Sequence, residues 1–172
     1  QGESRLEVHR QAAAPDDTRI DLMKVPLIWS QALLSAAWAD GRWKTGQLDG
    51  RLLVSAPANQ PLRVSGPLAL SAAALETPDG SIAAEGLGAQ LTLDYRNAAA
   101  GQRVDLRGTL RGGELLFGSA YIALPPTPVE LQIEAIGDVS GWRLPILRWG
   151  DGGTLATQGS AALAPDGTLR AL

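Results

Sequence analysis

The residues able to do acid–base or nucleophilic chemistry are few and scattered. The single histidine, His9 in RLEVHR, would have to serve any Ser-His-Asp arrangement. It closes a strand-like run and no G-x-S-x-G turn accompanies it, so it reads as a surface residue rather than a base. The chain has no cysteine, which removes thiol catalysis, thiolate metal sites and disulfides. With one histidine and no cysteine, no zinc site is expected. Asp16-Asp17 offers hard oxygen ligands, but no calcium-loop pattern surrounds it, and a polar turn is the simpler reading. Gly86-Leu87-Gly88 lacks the third glycine of a dinucleotide loop and leads into strand-like LTLDY. Carboxylates such as Asp105 and Glu114 can be paired for acid–base work only on paper, since no motif ties them together. The expectation is no catalytic residue, no metal, no cofactor and no enzymatic activity.

The bulk composition narrows the rest. A chain of 172 residues is one domain's worth, and 45% hydrophobic content is ordinary for a folded protein. The net charge is -3, and Lys and Arg form no run. A nucleic-acid partner is therefore not expected, because its basic footprint is missing. No apolar run has the length of a membrane span. The chain starts at Gln1 and stops at Leu172 inside strand-like TLRAL, so residues 1–172 are read as a single β-rich section of a larger protein.

The elements that would position any site are mostly strands. Leu91, Leu93 and Tyr95 alternate with Thr92 and Asp94. Val104, Leu106, Gly108 and Leu110 alternate with Asp105, Arg107 and Thr109, and Val129, Leu131 and Ile133 with polar residues. This period of two predicts antiparallel strands with one apolar face. Leu6 with Val8, Leu52 with Val54, Leu62 with Val64, and Leu68 with Leu70 repeat it in short runs. Asp-Gly pairs, including Asp40-Gly41, Asp49-Gly50 and Asp79-Gly80, are expected as turns. RNAAAGQR, residues 96–103, reads as a longer hairpin loop, and Pro125 to Pro128 as a rigid connection. Pro145 predicts an edge or a bulge in WRLPILRW.

One segment breaks the alternation. PLIWSQALLSAAWA, residues 26–39, places Leu27, Gln31, Leu34 and Trp38 on one helical face, with Pro26 suited to the first turn and Gly41 to the exit. The expected fold is mainly β: an antiparallel meander curled into a groove or half-barrel, with one short amphipathic helix near residues 26–39. Leu27, Leu34, Trp38 and Trp43 are expected to pack helix against sheet. Trp29, Trp142 and Trp149 are read the same way, as core aromatics rather than a ligand belt.

The order of these elements resembles a known family. RIDLMKV leads into PLIWSQALLSAAW, and then Gly46, Leu48, Gly50, Leu52 and Val54 give a G-x-L-x-G-x-L-x-V rhythm. The run from Gly159 ends in an apolar-x-L-x-x-D-G-x-L pattern. This is similar to the AsmA-like superfamily of Gram-negative envelope proteins, with its TamB and YdbH-like members. The resemblance implies a periplasmic protein anchored at the inner membrane by a segment outside this stretch. It implies an apolar β-groove, neighbouring β sections of the same protein, and phospholipid or acyl chains as cargo moving between inner and outer membranes during envelope assembly. Leu91, Leu93, Val104, Leu106, Leu131 and Ile133 are the expected groove lining. A closed β-sandwich without ligand is the alternative, and a carbohydrate-binding β domain a more distant one.

Overall fold

In the computed structural model the described residues are 3–37, 39–99, 101–150, 156–163 and 169–171. They form one antiparallel sheet. Its first strands are β1 (Arg5–Gln11), β2 (Ala14–Pro26), β3 (Arg42–Ser55), β4 (Leu62–Glu76), β5 (Ile82–Ala98) and β6 (Gly101–Arg111), each paired with the next. After a detour, β9 (Val129–Asp138) pairs with β6, and β10 (Gly141–Gly150), β11 (Ala156–Leu163) and β12 (Leu169–Ala171) follow in order. The detour is a hairpin of β7 (Glu114–Phe117) and β8 (Ala120–Ala123). β5 thus forks: Gly88 to Ala98 pairs with β6, whereas Ile82 to Glu85 pairs with β7. Strands β1 and β12 end the main path and do not meet, so the meander stays open rather than closing into a barrel, and β8 is a further edge on the branch.

Alternation explains the strands and bulges explain the curl. Lys24 (φ 49), Gly46 (φ 121), Ala72 (φ 48) and Gly86 (φ 66) carry left-handed backbone on four successive strands. Each sits at or beside an irregularity in the ladder, between Leu22 and Val25, Thr45 and Gln47, Leu70 and Ala73, and Ala84 and Leu87. A bulge bends its own strand and raises its twist, so a line of bulges bends the sheet along that line.

Past this line lie the closing elements. A 3₁₀ turn, Leu27–Ser30, runs into the helix α1 (Gln31–Ala37). Leu27 is 2% exposed, and a Cβ added to Gly46 would meet its Cδ1 at 2.6 Å. The connection after β8 returns along the β6–β7 turn, where Leu124 N–H donates to Gly113 O at 2.9 Å. Val25, Leu27, Ala73, Ala84, Ala89, Leu124 and Val129 are all buried there, so most of the core sits at one set of strand ends.

Among the described residues, the rest of the apolar face has no second layer. The chain exposes 10596 Å², against about 8000 Å² for a compact monomer of the same mass, 18.0 kDa. A closed sandwich would bring a second sheet over the first; the described strands form one sheet only.

Several local expectations need correction. Pro26 ends β2 and the helical stretch begins at Leu27. Asp49-Gly50 is not a turn: it lies inside β3, where Asp49 Oδ1 accepts the N–H of Lys24 at 2.9 Å. The hairpin at 96–103 is tight, with Ala98 paired to Gly101, because the ladder continues through polar residues that looked like loop. Leu62 to Val64 and Leu68 to Leu70 belong to one strand. Pro145 falls at a bulge, between Leu144 and Leu147, on a strand with partners on both sides. Trp38 lies outside the described residues.

Candidate functional site: an open apolar sheet face

Residues directly opposite in an antiparallel ladder project to the same face. The register therefore fixes which side chains line up. One row runs Val8, Ile20, Leu52 across β1 to β3. On the central strands, Gly66, Leu93, Leu106, Ile133 and Leu147 are paired in succession from β4 to β10. A second row runs Leu6, Leu22, Gly50, Leu68, Leu91, Gly108, Leu131 and Trp149. Tyr95 and Val104 pair in a third, followed by Ala135. All six expected lining residues, Leu91, Leu93, Val104, Leu106, Leu131 and Ile133, stand on this one face and are half-buried among their neighbours.

Glycines make gaps in the apolar rows. Gly66 (φ +147) and Gly108 (φ +156) leave no space for a Cβ, which would fall 2.0 Å from Arg51 O and 1.9 Å from Gln90 O respectively. At the far strand ends a cleft of about 520 Å³ is lined by Asn97, Gln102, Gly137, Val139 and Trp142. The Trp142 ring lies flat against Gly137, 2.9 Å from where a Cβ would be, and Val139 is fully exposed at the turn.

The helix covers only a corner. Leu27 is buried, Leu34 and Trp43 are half-buried, and Gln31 bridges the helix to β3 through its side chain. Trp29 is 63% exposed, while Trp142 and Trp149 stand on β10, well along the sheet from the helix. The expectation that the tryptophans gather around the helix is therefore corrected. Trp149 and Trp142 were missed as face residues because the bulge at Pro145 shifts the parity of β10. Proline inside an otherwise alternating run was the signal for that shift.

The opposite face is charged. Asp94, Asp105 and Glu134 stand in register beside one another. Arginines on flanking rows offset the repulsion. Arg63 donates through Nε and Nη2 to Asp94 at 3.1 and 2.6 Å, and Arg96 binds the same carboxylate. Arg107 binds Asp105 at 2.8 Å and Arg103 binds Glu134 at 3.2 Å. The hydrogen bonds from Arg63, followed by those from Arg96, hold the Asp94 carboxyl below the usual carboxylate range. Asp105 is thus an ion-pair residue, and Glu114 stands opposite Glu85 on the other branch of the fork. The structure does not bring the two together as an acid–base pair. Glu114 does border an open cleft of about 580 Å³ with Lys44, Glu76, Glu85 and Tyr121. That cleft holds carboxylates but no tryptophan stacking platform. Asp16-Asp17 enters β2, where Asp16 O accepts the N–H of Ala56 at 2.9 Å.

No helix among the described residues is long and apolar enough to cross a membrane. No protein-family model, curated protein or solved structure matches this chain.

Proposed function

We propose that this chain is one section of an apolar β-groove that holds the acyl chains of phospholipids, within a periplasmic AsmA-like envelope protein anchored at the inner membrane. The observation that carries the reading is the register. Rows of Leu, Ile and Val continue across strand after strand, with no second layer over them among the described residues and no charged side chain in the central rows. Each buried CH₂ of a guest chain contributes about 0.8 kcal/mol, so such a face can hold lipid without any polar recognition motif. The face needs no catalytic residue for that task, and the reading is of a binding and conducting section rather than an enzyme. Neighbouring β sections would extend the same face.

The test is direct. Solvent extracts of the purified chain, analysed by mass spectrometry, should contain phospholipid, and a fluorescent fatty acid should bind saturably. A clean extract together with no uptake would sink the proposal and favour an interaction module.

A further inference from the structure

A separate site lies on the charged side of β1 and β2, away from Leu6 and Val8. Glu7 stands opposite Asp21 in the ladder, and His9 opposite Arg19. Glu7 and His9 are two apart on one strand, so they leave the same side of the sheet and meet Asp21 there. His9 Nε2 is 3.3 Å from Glu7 Oε2 and 3.5 Å from Asp21 Oδ2. The three ligand atoms lie within 4.8 Å of one another, the one such histidine–carboxylate group among the described residues.

Those distances have a coordination meaning. Two ligands at ordinary zinc bond lengths, arranged tetrahedrally, are separated by about 3.4 Å. The strands already present nitrogen and oxygen atoms at that spacing, with no backbone shift required. The remaining carboxylate oxygens are also held. Arg5 pairs with Glu7 Oε1, and Arg51 Nε donates to Asp21 Oδ1 at 2.7 Å. Groups that grip the free oxygen of a ligating carboxylate orient it for the metal. The cost lies with Arg19, whose Nε donates at 2.9 Å to Asp21 Oδ2 itself and must release it. Its side chain is 46% exposed and can swing into water.

We propose that Glu7, His9 and Asp21 bind a divalent transition ion of the zinc type through Oε2, Nε2 and Oδ2, with water completing the shell, and that the ion staples edge strand β1 to β2. Two carboxylates and an imidazole make a mixed nitrogen–oxygen donor set of the kind zinc accepts. Zinc is favoured over magnesium, which prefers an octahedral shell of oxygens. Without a metal, one hydrogen bond joins His9 Nε2 to Glu7 Oε2, and Asp21 Oδ2 accepts from Arg19 instead.

The probe is zinc itself, titrated calorimetrically into the tag-free chain in a non-chelating buffer. Saturable 1:1 binding is expected, weakened at least about tenfold by His9→Ala and by Asp21→Asn. Cobalt(II) should give the visible absorption of a tetrahedral nitrogen–oxygen site, which Glu7→Gln abolishes, whatever either variant does to stability. Saturation absent up to about a thousand-fold above micromolar zinc, or binding unchanged in His9→Ala, would overturn the assignment. Lipid uptake should be the same with and without zinc, so failure of this site and failure of the groove are separate results.

Discussion

Gln31 accepts the N–H of Trp43 on its Oε1 at 2.8 Å. Its Nε2 donates to Gly41 O at 2.8 Å, so one side chain acts as a short piece of ladder at the start of β3. The helix is therefore tied to the sheet by a polar clamp as well as by Leu27.

Gln31→Ala should cost about 1–3 kcal/mol, because it strips the Trp43 N–H of its Gln31 acceptor, while Gly41 O keeps only Arg42 Nη1 at 2.9 Å. Leu27→Ala should cost about 2–5 kcal/mol, since its site closes only partly around the lost volume. Urea midpoints for the two variants check both numbers, and tryptophan emission should move first in Gln31→Ala.

Gly66→Ala and Gly108→Ala should each destabilise by more than about 2 kcal/mol, from backbone strain combined with overlap onto a carbonyl oxygen. Gly80 (φ +69) has open space around its missing Cβ. Gly80→Ala should cost only about 1 kcal/mol, the conformational part alone. Equal losses at all three positions would show that space is not the constraint in the sheet.

Leu93→Asp should abolish fatty-acid uptake while leaving the circular dichroism of a β protein. Thr92→Asp, one residue along and on the other face, should leave uptake unchanged. Position 93 is half-buried, so a carboxylate there keeps contact with water and the sheet can still form. Unaltered uptake in Leu93→Asp would remove this face as the binding surface.

Acid should weaken the charged face in a predictable sense. Asp94 has its folded pKa lowered, first by the hydrogen bonds from Arg63 and then by those from Arg96. Its contribution is fully present above the unfolded value of about 3.9 and is lost as pH falls through the lower folded value. The pair is partly exposed, so the effect is at most about 1 kcal/mol. Stability of the native chain should therefore fall more between pH 5 and pH 2 than that of Asp94→Asn, measured by urea unfolding.

Much of the sheet was legible because alternation survives wherever the pleat is regular. Leu91 with Leu93 and Leu131 with Ile133 went to one face on period alone. What alternation could not reveal is parity after a bulge, as at Pro145, or that Asp49-Gly50 would sit inside a strand. The fork in β5 was also hidden, since a strand of continuous pattern gives no sign that its two halves have different partners. The Glu7–His9–Asp21 group was out of reach for a related reason. A count of histidines and cysteines argued against a metal, whereas the group exists only through the register of β1 on β2.

Because the described strands lean mainly on their immediate neighbours, the sheet behaves as an array more than as a drop of core. Damage at β10 has no direct route to β2 except through the intervening ladders. Strands β1 to β6 pair in chain order, so that half can assemble while β9 to β12 are still being made. The β7–β8 hairpin lies between β6 and β9 in the chain, so the fork of β5 is the one point among the described strands where pairing of chain neighbours is interrupted.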